Sequence, residues 1–164
     1  MNIENLKKNK NIECLILFGS VARGDQDQSS DLDLLCISKD CDYRKYYEIR
    51  ENLEEDLQPS EFFTLYTISD LIKLSQKGSL FIQHIKLEGK LLFCKNEALL
   101  TYIQDPNPYD SYLEDINDYN ILLSDIIESF NRYKLCNEFD LSLLFTIARN
   151  ICILLCYLEN SPSF

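Results

Sequence analysis

Two apolar runs bracket a short interval rich in glycine and aspartate, and that interval constrains the chain more than any other feature. Residues 12–18, Ile-Glu-Cys-Leu-Ile-Leu-Phe, are β-prone and stop at Gly19-Ser20. Residues 31–37, Asp-Leu-Asp-Leu-Leu-Cys-Ile, form a second predicted strand. Residues two apart on a strand point to one face. Asp31 and Asp33 therefore share a face, and Leu32 and Leu34 point to the core. Two like charges side by side repel unless something positive lies between them. A divalent cation answers that need, and Mg²⁺ takes carboxylate and substrate phosphate oxygens in preference to all-protein cages. Alone, Asp-x-Asp reads better as an exposed edge strand with two solvated aspartates.

The turn before it changes that balance. A helix that starts directly after a strand aims its unpaired N–H groups at whatever sits above the strand end. Gly19 lets the backbone approach closely, and Ser20 adds a hydroxyl. That suits a polyphosphate, although Gly-Ser by itself is an ordinary turn. Arg23 lies close to the turn. It can touch a terminal phosphate, or pair with Asp25 or Asp27 at the surface, which is the simpler reading. His84, the single histidine, falls mid-helix between Ile82 and Ile85 and reads as structural.

Downstream, Tyr46, Ile49, Leu53 and Leu57 recur at helical spacing over residues 43–57, and Pro59-Ser60 end that helix. Residues 61–67, Glu-Phe-Phe-Thr-Leu-Tyr-Thr, are β-branched and aromatic and predict a third strand. Ser69 is placed to cap a helix reaching Gln76, a second helix runs from Leu80 to Glu88 before Gly89, and residues 90–94 give a fourth strand. The order defines an α/β (α+β) fold: a small mixed β-sheet with flanking helices. Residues 105–109, Asp-Pro-Asn-Pro-Tyr, read as a linker. Helical periodicity then covers about 110–134 and 139–159, an all-α C-terminal region. The domain reading is residues 1–104 for the sheet and 105–164 for the helices.

Charge narrows the partners. The chain of 164 residues has a formal net charge of −11. Residues 1–104 carry 13 Lys/Arg against 17 Asp/Glu, and residues 105–164 carry 3 against 10. Such acidity repels a phosphate backbone and argues against extended nucleic acid. It suits a cationic small molecule or a basic protein, or plain solubility. Seven cysteines, an odd number with no C-x-x-C pair, read as buried thiols in a reducing cytosol and not as a disulfide frame or zinc site. The first ten residues do not resemble a signal peptide. The apolar stretch 141–158 is interrupted by Arg149 and Asn150, so it reads as a buried or interfacial helix and not as a membrane span.

Taken together, the segment GSVARGDQDQSSDLDL resembles the DNA polymerase beta-like nucleotidyltransferase superfamily. Gly19-Ser20, Gly24, Ser30-Asp31 and Asp33-Leu34 carry the resemblance, which covers about residues 10–95. It implies a nucleotidyltransferase core that uses a nucleoside triphosphate, ATP first among them, and two Mg²⁺ ions. It also implies a third carboxylate on a following strand, where Glu61 fits by position although the family more often has Asp. Asp31, Asp33 and Glu61 would then be the catalytic and metal-binding set, with Gly19, Ser20, Arg23 and Ser30 on the nucleotide. The expected reaction moves an NMP to a protein or small-molecule hydroxyl by two-metal chemistry.

The helical region admits a competing reading. Between 139 and 158 the clearly polar side chains are Asp140, Ser142, Thr146, Arg149 and Asn150. A helix apolar on most sides needs cover on most sides, which predicts a homodimer or a helical partner protein. A minimal nucleotidyltransferase followed by helices resembles the aminoglycoside nucleotidyltransferases and the antitoxins paired with helical RNase toxins. The alternative is thus a weak or inactive nucleotide-binding module that neutralises a partner. Arg149-Asn150 resembles the start of the RNase motif, but no His follows, so RNase activity is not expected. The chain stops at Ser161-Pro162-Ser163-Phe164, where related helical domains continue, which allows a truncated or degenerate bundle.

Overall fold

The structure is a computed structural model and describes residues 3–27, 30–56 and 61–160. The chain divides into two compact units, residues 1–108 and 109–164.

In the first unit the elements are α1 (Ile3–Lys8), β1 (Ile12–Phe18), α2 (Gly19–Arg23), β2 (Leu32–Ser38), α3 (Tyr43–Asp56), β3 (Glu61–Thr67), α4 (Ile68–Gln76), α5 (Leu80–Glu88), β4 (Lys90–Cys94), a 3-10 turn (Glu97–Leu100) and α6 (Thr101–Gln104). The strands form one mixed sheet in the order β3-β2-β1-β4. β1 is antiparallel to both neighbours, and β2 and β3 run parallel. A parallel pair needs a crossover, and α3 supplies it.

Both faces of the sheet are covered, so the two central strands are apolar nearly throughout. One core joins Cys14, Ile16, Leu35 and Ile37 to Leu71, Ile82 and Ile85 of α4 and α5 and to Leu99 and Ile103. The other joins Leu15, Leu34, Cys36 and Leu65 to Leu6 of α1 and to Ile49 and Leu53 of α3. Each fully buried aliphatic side chain is worth about 1.5–3 kcal/mol over leaving it wet.

Two local expectations are corrected. The cap of α4 is Thr67, not Ser69. The Thr67 hydroxyl accepts the Asp70 N–H at 3.1 Å, and the Asp70 carboxylate accepts the Thr67 N–H at 3.1 Å, a reciprocal box that stops β3 and starts the helix in one residue. Ser69 instead donates its N–H to Asp40 at 2.8 Å. The cysteines are not all free: Cys14 and Cys94 are cross-strand partners in the β1–β4 ladder, with Cα atoms 4.1 Å apart, and form a disulfide. Antiparallel pairing brings two residues 80 apart in sequence into contact, which spacing alone does not reveal.

The second unit is a helical hairpin, α7 (Tyr112–Tyr133) and α8 (Glu138–Leu158). Lys134 takes a left-handed conformation (φ 52°) to end α7. Asn137 and Asp140 form a capping box that opens α8. Ile126 of α7 and Ile147 and Leu154 of α8 are buried. Tyr109 donates its hydroxyl to Asp115 and its N–H to the Tyr157 hydroxyl, which fastens the start of the unit to both helices. Burial and the Asp115 carboxylate push the Tyr109 phenol well above its ordinary range. By length and composition α8 is apolar enough to cross a membrane.

Candidate active site

The site forms where β1 hands over to α2. Phe18 is still extended (φ −139°), and Gly19 turns to φ +72°, a conformation that disfavours any side chain. α2 lasts five residues and ends at Gly24, which is left-handed at φ 88°. The Ser20 carbonyl accepts N–H bonds from Gly24 at 2.9 Å and Asp25 at 3.2 Å. Further on, the Ser30 hydroxyl accepts the Asp27 N–H at 2.9 Å and donates to the Asp27 carboxylate at 3.0 Å. Ser30, next to Asp31, is thus tied to Asp27.

The β1–β2 register sets Asp33 opposite Phe18. Its carboxylate lies directly against Gly19, in the space where a Cβ on that residue would go. Asp31 is exposed, one residue before β2. Burial raises the pKa of Asp33, and the nearby Asp31 charge raises it further, while His84 and Arg23 pull it back. The Asp31 charge therefore reaches Asp33.

A second group gathers beside them. Arg23 Nη1 meets Glu88 Oε2 at 2.5 Å, and Arg23 Nε meets Asp25 at 3.0 Å. The bond to Glu88, and after it the bond to Asp25, raises the arginine pKa. The same Glu88 oxygen lies 3.0 Å from His84 Nε2. The His84 ring packs edge-on against Phe18 (5.6 Å) and Phe81 (6.5 Å). Burial lowers the His84 pKa more than Glu88 raises it. Glu88 went unnoticed in the sequence. Its one local sign is a position four after His84 on a helix, immediately before Gly89.

Glu61 opens β3. β3 pairs with β2 so that Glu61 lies beside Leu32, and Phe62 lies beside Asp33. Neighbours in a ladder share a face, so Glu61 falls with Leu32, Leu34, Phe63 and Leu65, on the side of the sheet covered by α3. By register Asp33 falls on the face of Phe62, and Glu61 on the face of Leu32. Phe62, 55% exposed, stands in the strand position next to Asp33. No group of three or more His, Cys, Asp or Glu that could hold a metal occurs among the described residues. A cavity of about 150 Å³ lined in part by Ile16, Ile85 and Leu91 shares none of these site residues.

A strand that ends in a Gly-Ser helical turn, followed by an antiparallel strand with one aspartate inside it and one just before it, is the arrangement of a nucleotidyltransferase core. The family described as Polymerase beta, Nucleotidyltransferase matches residues 2–98, more than half of the chain, and the chain belongs to that family. A curated relative from Methanocaldococcus jannaschii, named "Putative protein adenylyltransferase MJ1215", is 36% identical over 55 residues, which are 33% of this chain and 64% of that one. The chain therefore spans a little under two thirds of that relative's length. Among solved structures, a toxin-antitoxin with AMP-PNP is similar at 19% identity and a TM-score of 0.41, over 81% of this chain and 95% of the other. A tri-AMPylated Shewanella oneidensis HEPN toxin in complex with MNT antitoxin is similar at 16% identity and a TM-score of 0.38, over 76% and 92%.

Proposed function

We propose that this chain transfers a nucleoside monophosphate, AMP from ATP, to a hydroxyl of a protein or small-molecule acceptor. The observation that carries the reading is the Asp33 carboxylate pressed against the Gly19 backbone, with the Asp31 charge near it. Phosphates held at the Gly19-Ser20 turn would lie beside those carboxylates. In the reaction the acceptor oxygen bonds to the α-phosphorus as the bond to the bridging oxygen of pyrophosphate breaks.

The residues fit Mg²⁺. Asp31 and Asp33 bring two hard carboxylates close enough that the Asp31 charge makes Asp33 costlier to ionise, a repulsion that a cation removes. Asp31 and Asp33 would hold it together with phosphate oxygens. When bound it supplies positive charge to the α-phosphate and the departing pyrophosphate. The chain's own part is positioning. Gly19 admits the phosphates to the backbone and Ser20 offers its hydroxyl. Arg23, braced between Glu88 and Asp25, adds positive charge at the end of α2. Ser30, tied to Asp27 beside Asp31, offers its hydroxyl to the nucleotide. The relative's printed activity, protein adenylylation, supports AMP and a protein acceptor.

One observation favours a second reading. Phe62 stands beside Asp33 where a third carboxylate would serve catalysis. A site with two acids suits a module that holds the nucleotide, turns over slowly and acts by docking on a partner protein. One experiment separates the two. The chain is incubated with α-labelled NTPs, Mg²⁺ and a lysate of the source cells, and labelled protein is separated from labelled small molecules. Label on a discrete acceptor supports transfer. ATP retained in equilibrium dialysis without label supports the module. Neither result leaves neither reading standing.

A further inference from the structure

We propose that Glu88 is a positioning residue: it holds Arg23 so that the guanidinium meets the terminal phosphates of a nucleoside triphosphate bound at the Gly19-Ser20 turn. The inference rests on the transfer reading above and adds a residue to it.

The helix α2 needs support from outside. It is five residues long, and so short a helix is unstable alone, because its first turn fixes several residues for few hydrogen bonds. Phe18, which precedes it, makes no side-chain capping bond. α5 supplies support at both ends. His84 and Glu88 lie four apart on α5 and therefore on one face. The His84 ring packs edge-on against Phe18, where α2 starts. Glu88 bonds Arg23, where α2 ends. A single oxygen, Glu88 Oε2, lies 2.5 Å from Arg23 Nη1 and 3.0 Å from His84 Nε2.

The place of Glu88 in its own helix does not explain it. It is the last residue of α5, where the negative end of the helix dipole disfavours an acid. A neutral or basic side chain would end α5 better. What the acid holds accounts for it. The hold is shielded: the Glu88 side chain is 15% exposed and that of His84 16%. Asp25, the other acid on Arg23, is 60% exposed and two residues away in sequence, and exposed pairs of that kind fix little.

What is held reaches the site. Arg23 ends the helix that Gly19 begins. Its charge, like that of His84, acts on Asp33 and favours the ionised carboxylate. Phosphates beside Asp33 lie in the same field. A free arginine has many rotamers to lose when it grips a phosphate, so fixing it beforehand lowers the cost of binding. The sign of the effect is diagnostic. Glu88 is itself an acid near the phosphates, so a role through charge alone would weaken their binding. A role through Arg23 strengthens it.

The test is calorimetry on the full chain with Mg²⁺ and a non-hydrolysable ATP analogue, and separately with AMP, which lacks the terminal phosphates. Glu88→Gln keeps the shape of the side chain and removes its charge. It should weaken the analogue at least tenfold and AMP by less than about twofold. In an Arg23→Gln background the same change should alter analogue binding by less than about twofold, because nothing is left to position. Glu88→Asp keeps the charge for folding but withdraws the carboxylate, and it should weaken the analogue and spare AMP in the same sense. Equal losses for analogue and AMP overturn the inference, as a damaged fold would give. So does analogue binding that is unchanged or tighter in Glu88→Gln, or a loss that persists in the Arg23→Gln background. In those outcomes the transfer reading stands. A wild-type chain that binds no analogue overturns both.

Discussion

Asp33 fills the space that a side chain on Gly19 would need: a Cβ there would collide with its Oδ2 and lie 3.2 Å from its Cγ. The glycine and the aspartate are a matched pair across the β1–β2 ladder. Gly19→Ala should therefore displace the carboxylate as well as strain a backbone at φ +72°. The left-handed conformation costs an alanine about 1–2 kcal/mol. Melting temperature should fall, and nucleotidyl transfer should fall at least tenfold. Gly24→Ala is the control: φ is +88° and nothing lies within 4 Å of the new carbon. It should show the stability loss while keeping transfer within about threefold, since only the backbone term acts.

Removing the charge pair separates chemistry from folding. Asp31→Asn with Asp33→Asn should abolish transfer and leave the metal-free melting temperature unchanged or higher. The burial of Asp33 and the proximity of Asp31 both disfavour its ionised form, so a neutral amide relieves a cost. A large drop in metal-free melting temperature would mark these residues as structural.

The register of β3 gives a sharper test of the site. Glu61→Gln should change transfer by less than about twofold, because Glu61 lies on the opposite face of the sheet. Phe62→Asp should add a carboxylate next to Asp33 and tighten Mg²⁺ binding, measured by calorimetry in the presence of a non-hydrolysable nucleotide. Loss of transfer in Glu61→Gln, with the fold intact, would refute the two-acid description.

Acidity should act through His84. Burial holds its folded pKa below the ordinary value of 6.5. The unfolded chain therefore binds the proton first as pH falls. The stability contributed by neutral His84 is complete above about pH 7 and is lost as pH drops through 6.5 toward the folded value. Denaturant titrations of wild type and His84→Phe at pH 8 and pH 5.5 should show wild type losing more stability over that interval. Equal losses would mean that the ring charges as readily in the fold as out of it.

Much of this architecture is legible locally. The handover from β1 to α2 shows because an apolar run ends at a glycine, and α7 and α8 show because their apolar residues repeat at helical spacing. Short pieces do not show. α1 buries Leu6 alone in a polar segment, and Glu97–Gln104 make two brief helical turns with no period to count. The site divides the same way. Asp31 and Asp33 declare their shared face through their spacing. The face of Glu61 depends on how β3 registers with β2, which is set by side chains far along the chain. The Arg23–Glu88 bond joins residues 65 apart, so no motif contains both.

The parallel pairing of β2 with β3 also bears on how such a site can change over generations. An inserted or deleted residue ahead of β3 would trade Phe62 for Glu61 beside Asp33, but it would turn Leu65 and Tyr66 over as well. Leu65 is 5% exposed in one core, and Tyr66 packs against the other. Selection for stability closes that route. A substitution at position 62 leaves every other side chain of the strand where it is. On a fixed ladder, point replacement is thus the change that reaches the neighbourhood of Asp33 without unpacking either core.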